Sequence, residues 1–166
     1  MTEDEAKSVG CIVFDEELVW AIAETIYDLH SSISKAGACF DPLSGASEEA
    51  KLSVIGRLAS TVNTCFGVVF ESRPDERYDG DVFLQVSKFC FMLAKDHVFL
   101  DGNKRTALII SLAILQRIKG IMVSVSDSSD PSENELYKWI QSIVAGDGDV
   151  DSLSAILRER ARFGSY

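Results

Sequence analysis

The sequence predicts an all-α fold, a helical bundle in a single domain. Apolar residues recur at the helical period of about 3.6 along most of the chain, and the alternation typical of a half-buried strand is almost absent. Two segments, residues 81–96 and 104–119, are apolar around most of their circumference. Such segments are typical of buried helices. We therefore expect two central buried helices that flank one short loop.

The first half of the chain carries signals for two further helices. Asp15 and Ser47 are suitable N-cap residues, and each precedes a segment with apolar residues at helical spacing. Residues 32–47 between these helices are polar and rich in turn residues, which predicts a long loop. A second, charged loop is expected over residues 67–81.

The second half continues the helical pattern. Gly120 should end the second central helix. Asp130, Pro131 and Glu133 then provide a cap, a proline at the first helical position and a capping-box glutamate for the next helix. A final helix is expected over residues 151–162.

Length and composition fit a small soluble enzyme with one domain, residues 1–166, in which residues 1–13 form a polar tail. Of the 166 residues, 46% are hydrophobic, enough for a core without metals or disulfides. No apolar run approaches the ~20 residues that span a bilayer. The four cysteines are scattered and form no C-x-x-C pair, which argues against a zinc site and for buried thiols in a reducing cytosol. We expect a cytoplasmic protein with no membrane contact.

The formal net charge of −10 argues against direct binding to nucleic acid, because affinity for a polyphosphate backbone comes from clustered lysine and arginine. A nucleoside triphosphate with its magnesium ion is a better candidate for the few cations near the central loop. The acidity would also suit a basic protein partner.

The most informative segment is residues 97–108, which read HVFLDGNKRTAL. Asn103 follows a glycine and is expected to cap the next helix. Backbone N–H groups at the positive end of that helix would then favour an anion. Lys104 and Arg105 add charge at the same place, and Arg105 can bind phosphate oxygens in a bidentate manner. The cap and the cations alone leave open an ordinary turn between two helices.

The whole string resembles the signature of the Fic/Doc family, H-x-F-x-[DE]-G-N-[GK]. Weaker similarity covers residues 14–160, about the length of the family's domain. The resemblance implies a Fido-type helical bundle, with room for a short β-hairpin flap within residues 35–51. The chain matches the signature at six positions: His97, Phe99, Asp101, Gly102, Asn103 and Lys104.

Two positions resemble the death-on-curing (Doc) branch of that family. Lys104 stands where members that transfer AMP usually have a second glycine, and Leu108 stands where they have a second arginine. Val98 replaces a frequent proline, which removes no reactive group. Doc-type members are protein kinases, so the resemblance implies transfer of the γ-phosphate of ATP. Transfer of AMP is the alternative, and an inactive binding module is a second alternative.

The resemblance also implies a role for each residue of the motif. His97 would accept the proton of a target hydroxyl, a role suited to the imidazole group, whose unperturbed pKa is about 6.5. Asp101 would hold Mg²⁺, which prefers oxygen ligands. Phe99 would be a packing anchor. The residues around the ATP phosphates would be Gly102, Asn103, Lys104 and Arg105.

Partners follow from the same resemblance. The implied target is elongation factor Tu, whose modification would block translation, and the implied regulator is an antitoxin protein. Residues 129–134, SDPSEN, match by letter an inhibitory string of the family, [ST]-x-x-x-E-[GN]. We interpret that match as accidental, because Pro131 places Ser129 before the helix begins.

Three further residues receive structural interpretations. His30 is expected near the end of the first helix, where an imidazolium would favour the helix dipole. Trp20 and Trp139 lie on apolar faces and are expected in the core.

Overall fold

The computed structural model describes residues 1–37, 45–125, 135–146 and 149–164. The fold is mostly helical, as predicted, with one small sheet among the described residues. The helices are α1 (Glu3–Val9), α2 (Glu16–Lys35), α3 (Glu48–Phe66), α4 (Pro74–Arg77), α5 (Val82–Lys95), α6 (Asn103–Lys119), α7 (Glu135–Ala145) and α8 (Val150–Arg160). The sheet pairs β1 (Ile121–Val123) with β2 (Ala161–Phe163) in antiparallel orientation.

Helices α5 and α6 form the centre of the core and flank the motif loop, as the sequence predicted. The carboxylate of Asp81 accepts hydrogen bonds from the backbone N–H groups of Phe83 and Leu84, so α5 begins where expected. Helix α6 ends at Gly120, whose φ of 67° lies in the left-handed region that glycine adopts without strain. The largest buried side chains on these two helices are Phe83, Phe89, Leu93, Leu108 and Leu115.

Helices α2 and α3 pack together beside this centre. Asp15 caps α2 through Leu18 N–H, and Ser47 caps α3 through Ala50 N–H. Both caps were predicted. Trp20, expected in the core, is instead 44% exposed, whereas Trp139 is partly buried against the core. The buried face of α2 is formed by Val19, Ala23, Ile26, His30 and Ile33.

The expected polar tail, residues 1–13, is instead part of the fold. It contains α1, which has a capping box between Thr2 and Glu5. Ile12 is buried, and its backbone N–H and carbonyl both bond to the side-chain amide of Gln85, at 2.8 and 2.7 Å. The Lys119 ammonium donates to the carbonyl of Val9 at 2.9 Å. These long-range contacts hold a segment that looks polar by composition.

The carboxyl-terminal helix ends earlier than predicted. Residues 161–163 leave the helix and pair with β1. Helix α8 is joined to the start of α5 by an ion pair between Arg158 and the buried Asp81. The predicted cap at Asp130, Pro131 and Glu133 lies outside the described residues.

Three of the four cysteines are buried free thiols, as predicted, and Cys39 lies outside the described residues. Burial raises the pKa of Cys11 to about 12, that of Cys65 to about 11 and that of Cys90 to about 12. These thiols are therefore protonated at neutral pH and poor nucleophiles. Within the described ranges, none of the helices combines the length and the apolar character that crossing a membrane requires.

Candidate active site

The site begins at His97, directly after α5 ends. Asp96 caps the helix, and its N–H donates to the carbonyl of Met92 at 2.9 Å. His97 then adopts a φ of 46°, which is in the left-handed region and uncommon for a residue other than glycine. Its side chain is exposed, while Val98 and Phe99 turn into the core. The backbone therefore projects an imidazole to the surface from the end of a rigid helix.

Helix α3 holds the residue before His97 at two points. The Thr61 hydroxyl donates to Asp96 Oδ2 at 2.6 Å, and Arg57 Nη2 donates to the Asp96 carbonyl at 3.1 Å. Neither residue was predicted from the sequence to belong to the site. Their spacing on α3 carries no signal, because the contact spans 35 and 39 positions of the chain.

Asn103 plays a different part from the one predicted. The N-cap of α6 is Gly102, with φ 76°, and Asn103 is the first helical residue. Its buried amide turns back to Phe99, accepting from the Phe99 N–H at 2.9 Å and donating to the Phe99 carbonyl at 2.7 Å. The Asn103 side chain therefore fastens the loop. Of Asn103, the backbone N–H is the group left to bind an anion.

The start of α6 suits an anion. Gly102 provides no side-chain cap, and the first N–H groups of a helix have no acceptor within it. The described first turn contains no acidic residue. Lys104 is half-buried and Arg105 exposed on this turn. Helix dipole and formal charge thus favour a phosphate at the same place.

Asp101 is the carboxylate of this loop. It is exposed, and its Oδ1 accepts the Gly102 N–H at 2.7 Å. In the described part of the chain, no cluster of three or more His, Cys, Asp or Glu side chains could hold a metal ion. A single carboxylate nevertheless fits Mg²⁺, which commonly binds one or two carboxylates together with substrate phosphates and water.

Phe99 is the packing anchor that the sequence predicted. Its partner is His30, whose predicted place at the end of the first helix was wrong. Phe99 is buried, and its ring stacks on the ring of His30 with centroids 3.7 Å apart and planes 2° apart. His30 Nε2 lies 2.8 Å from the Asp101 carbonyl. Instead of facing the end of α2, His30 is 1% exposed and contacts the motif loop.

The motif residues therefore divide into two groups. His97, Asp101 and Arg105 are exposed around one short loop, and Lys104 is half-buried there. Phe99 and Asn103 are buried and support that loop. Residues 38–44, the middle of the segment expected to hold the flap, and the string at residues 129–134 lie outside the described residues. Residues 48–51 of the same segment form the first turn of α3.

Comparison with known proteins gives one result. A sequence model described as the Fic/DOC family matches residues 13–115, which include α2, α3, α5 and most of α6. No curated protein and no solved structure matches the chain.

Proposed function

The chain belongs to the Fic/DOC family, and from this premise we propose that it is a Doc-like toxin that transfers the γ-phosphate of ATP to a hydroxyl of a target protein. Enzymes of this family transfer phosphate-containing groups of nucleotides to their targets. The observation that carries the proposal is the placement of His97. Its exposed imidazole lies on the loop that leads into the cationic start of α6, where Gly102 offers no side-chain cap. Thr61 of α3 and the buried Phe99 support that loop.

His97 is the base in this proposal. Its imidazole accepts the proton of the target hydroxyl as the oxygen attacks phosphorus. The bond between the γ-phosphorus and its bridging oxygen breaks, and the leaving group is ADP. An exposed position suits this role, because the acceptor is a side chain of another protein.

The start of α6 binds the phosphates. Arg105 grips phosphate oxygens through its planar guanidinium, and Lys104 supplies a point charge. The backbone of Gly102 and Asn103 completes the anion site. Asp101 would hold Mg²⁺, which when bound neutralises charge on the phosphates.

Position 108 favours γ-phosphate transfer over AMP transfer. Leu108 is 1% exposed and packs in the core. No cation therefore reaches the phosphates from the position where AMP-transferring members carry a second arginine. Lys104 occupies the place of their glycine, as in Doc-type members. AMP transfer remains the second candidate because the base, the carboxylate and the first arginine are common to both reactions.

Target and regulator are proposed from the family alone. Elongation factor Tu is the proposed target, with a block of translation as the consequence in the cytoplasm. A separate antitoxin protein is the proposed inhibitor. Nucleic acid and membrane have no direct part in this proposal.

The test is label transfer to bacterial lysate from ATP labelled at either the α or the γ phosphorus. Wild type, His97→Ala and two arginine variants are compared. Arg105→Ala changes the proposed phosphate site, while Arg117→Ala removes an exposed cation from the last turn of the same helix.

Label from the γ position alone, lost in His97→Ala, reduced in Arg105→Ala and kept in Arg117→Ala, supports the proposal. Label from the α position would establish AMP transfer instead. Absence of label from both positions would favour an inactive binding module.

A further inference from the structure

We infer that His30 is a positioning residue, which holds the motif loop in the geometry that binds magnesium and phosphate. The part of this inference that concerns activity rests on the proposed function. His30 comes from α2 and contacts the loop 71 positions further along the chain.

Two contacts with the described motif loop orient the His30 ring. One face stacks on Phe99 at 3.7 Å between centroids, with the planes nearly parallel. The ring edge places Nε2 at 2.8 Å from the Asp101 carbonyl. Since a carbonyl oxygen only accepts hydrogen bonds, Nε2 carries a proton and donates it. The ring thus contacts the loop both through its face and through its edge.

The contacts of His30 complement those of Asn103. Asn103 binds the N–H and the carbonyl of Phe99 from α6. His30 binds the Phe99 ring and the Asp101 carbonyl from α2. Side chains from two helices, α6 and α2, therefore hold the loop at Phe99 and Asp101, the residues on either side of Leu100.

The Asp101 carbonyl is a critical point for the site. It belongs to the peptide unit that ends in the Gly102 N–H, and that N–H binds the Asp101 carboxylate at 2.7 Å. Rotation of this peptide would move both the carboxylate and the left-handed Gly102 that begins α6. By fixing the carbonyl, His30 orients the proposed magnesium ligand and the first N–H groups of the helix.

A packing role alone would not require histidine. A buried imidazole loses its hydration, which is unfavourable unless a hydrogen bond replaces it. Phenylalanine would fill a similar space beside Phe99 at no such cost. Among the contacts of His30 with the motif loop, the hydrogen bond to Asp101 is therefore the feature that distinguishes positioning from packing.

Three variants separate the two roles. His30→Phe keeps an aromatic ring beside Phe99 but has no donor. His30→Gln keeps an N–H donor and loses the ring. Ile26→Val, on the same buried face of α2, is the control for a small loss of core packing.

The first readout is hydrogen–deuterium exchange of peptides that cover residues 99–103, without nucleotide or target. We expect faster exchange in His30→Phe than in wild type, and near wild-type exchange in His30→Gln and Ile26→Val. Exchange in His30→Phe equal to that in Ile26→Val would overturn the inference. If His30→Phe does not fold, faster loop exchange in folded His30→Gln than in Ile26→Val would overturn it as well.

The second readout is the Mg²⁺ concentration that gives half-maximal transfer of the γ-phosphate. We expect His30→Phe to raise it about 10-fold, the usual effect of removing a residue that orients a metal ligand, and His30→Gln to restore most of the loss. An unchanged Mg²⁺ requirement in folded His30→Phe would also overturn the inference. Failure of the proposed function is seen separately, as absence of transfer by wild type, and the exchange result then still decides the role of His30.

Discussion

Among the described residues, three turns place residues other than glycine in the left-handed region. One of them contains Asp79 with φ 53°, and the other two differ in what holds them. The motif turn, residues 96–99, contains His97 with φ 46°. The surface turn, residues 69–72, contains Phe70 and Glu71 with φ 50° and 64°. Such conformations cost on the order of 1 kcal/mol or more per residue and persist only where the surroundings enforce them.

The two turns are enforced by different means. In the surface turn, Val69 and Ser72 exchange two backbone hydrogen bonds at 3.1 and 3.0 Å, and Phe70 at the tip is 99% exposed. This local pairing is that of a two-residue hairpin with a type I′ turn, which requires positive φ at both central residues. The motif turn instead depends on contacts from distant α3 and on Asn103.

This difference in what enforces the two turns indicates which left-handed backbone supports the candidate active site. The conformation of the surface turn follows from its own hairpin. That of His97 is set by side chains that contact the loop carrying the proposed catalytic residues.

An exposed carboxylate lies at or near each turn: Glu71 within the surface turn, and Asp101 two residues after the motif turn. Only Asp101 should matter for transfer. We expect Asp101→Asn to reduce γ-phosphate transfer on the order of 100-fold, since changes even one step removed from a metal ligand cost about 10- to 100-fold. Glu71→Gln should leave the rate within twofold of wild type. Initial rates at saturating Mg²⁺ provide the measurement, and equal losses in the two variants would remove the contrast.

Removing the amide that fastens the motif turn should lower stability. Asn103→Ala deletes two buried hydrogen bonds to Phe99, which predicts a loss of about 2 kcal/mol in the free energy of unfolding. Asn63→Ala, at an exposed position of α3, is the matched control. Urea unfolding of both variants gives the values. A loss no greater than in the control would show that Asn103 does not hold the turn.

Removing the hydrogen bond between Thr61 of α3 and Asp96 should lower stability less than Asn103→Ala does. Thr61→Val keeps the side-chain shape and removes the hydrogen bond to Asp96, so we expect a loss of about 1 kcal/mol. Thr61→Ser keeps the hydroxyl and should recover part of the lost stability. Both free energies come from urea unfolding, with transfer rates measured on the same samples. Unchanged stability and transfer in Thr61→Val would mean that α3 does not position His97.

The surface turn should tolerate relief of its strain. Replacing Phe70 and Glu71 by asparagine and glycine provides the pair that such hairpins favour, and we expect stabilisation by about 0.5–1 kcal/mol. Transfer should be unchanged. Thermal unfolding and initial rates check both points. A loss of transfer would place the surface turn in the functional machinery and contradict the comparison.

The sequence predicted those parts of the fold that depend on local signals. Asp15, Ser47 and Asp81 cap helices, and Gly120 ends α6, because these residues satisfy backbone groups next to them. The two central helices were predicted because each is apolar around most of its surface. Such features need only neighbours along the chain.

The features that the sequence did not reveal depend on tertiary contacts. Residues 1–13 looked like a tail because only Gln85, far along the chain, satisfies the backbone of Ile12. The cap of α6 was assigned to Asn103, but left-handed Gly102 takes that place and frees the amide for Phe99. His30 was assigned to a helix end because the sequence carries no signal that α2 packs on the motif loop.

The most direct test of the account compares His97→Ala with Phe70→Ala in one assay of γ-phosphate transfer, with unfolding free energies measured in parallel. We predict that His97→Ala lowers the rate between about 10²- and 10⁴-fold, the usual range for loss of a general base, while both proteins stay folded and Phe70→Ala keeps the wild-type rate. A His97→Ala protein that transfers as fast as wild type would contradict the claim that the motif turn presents the base.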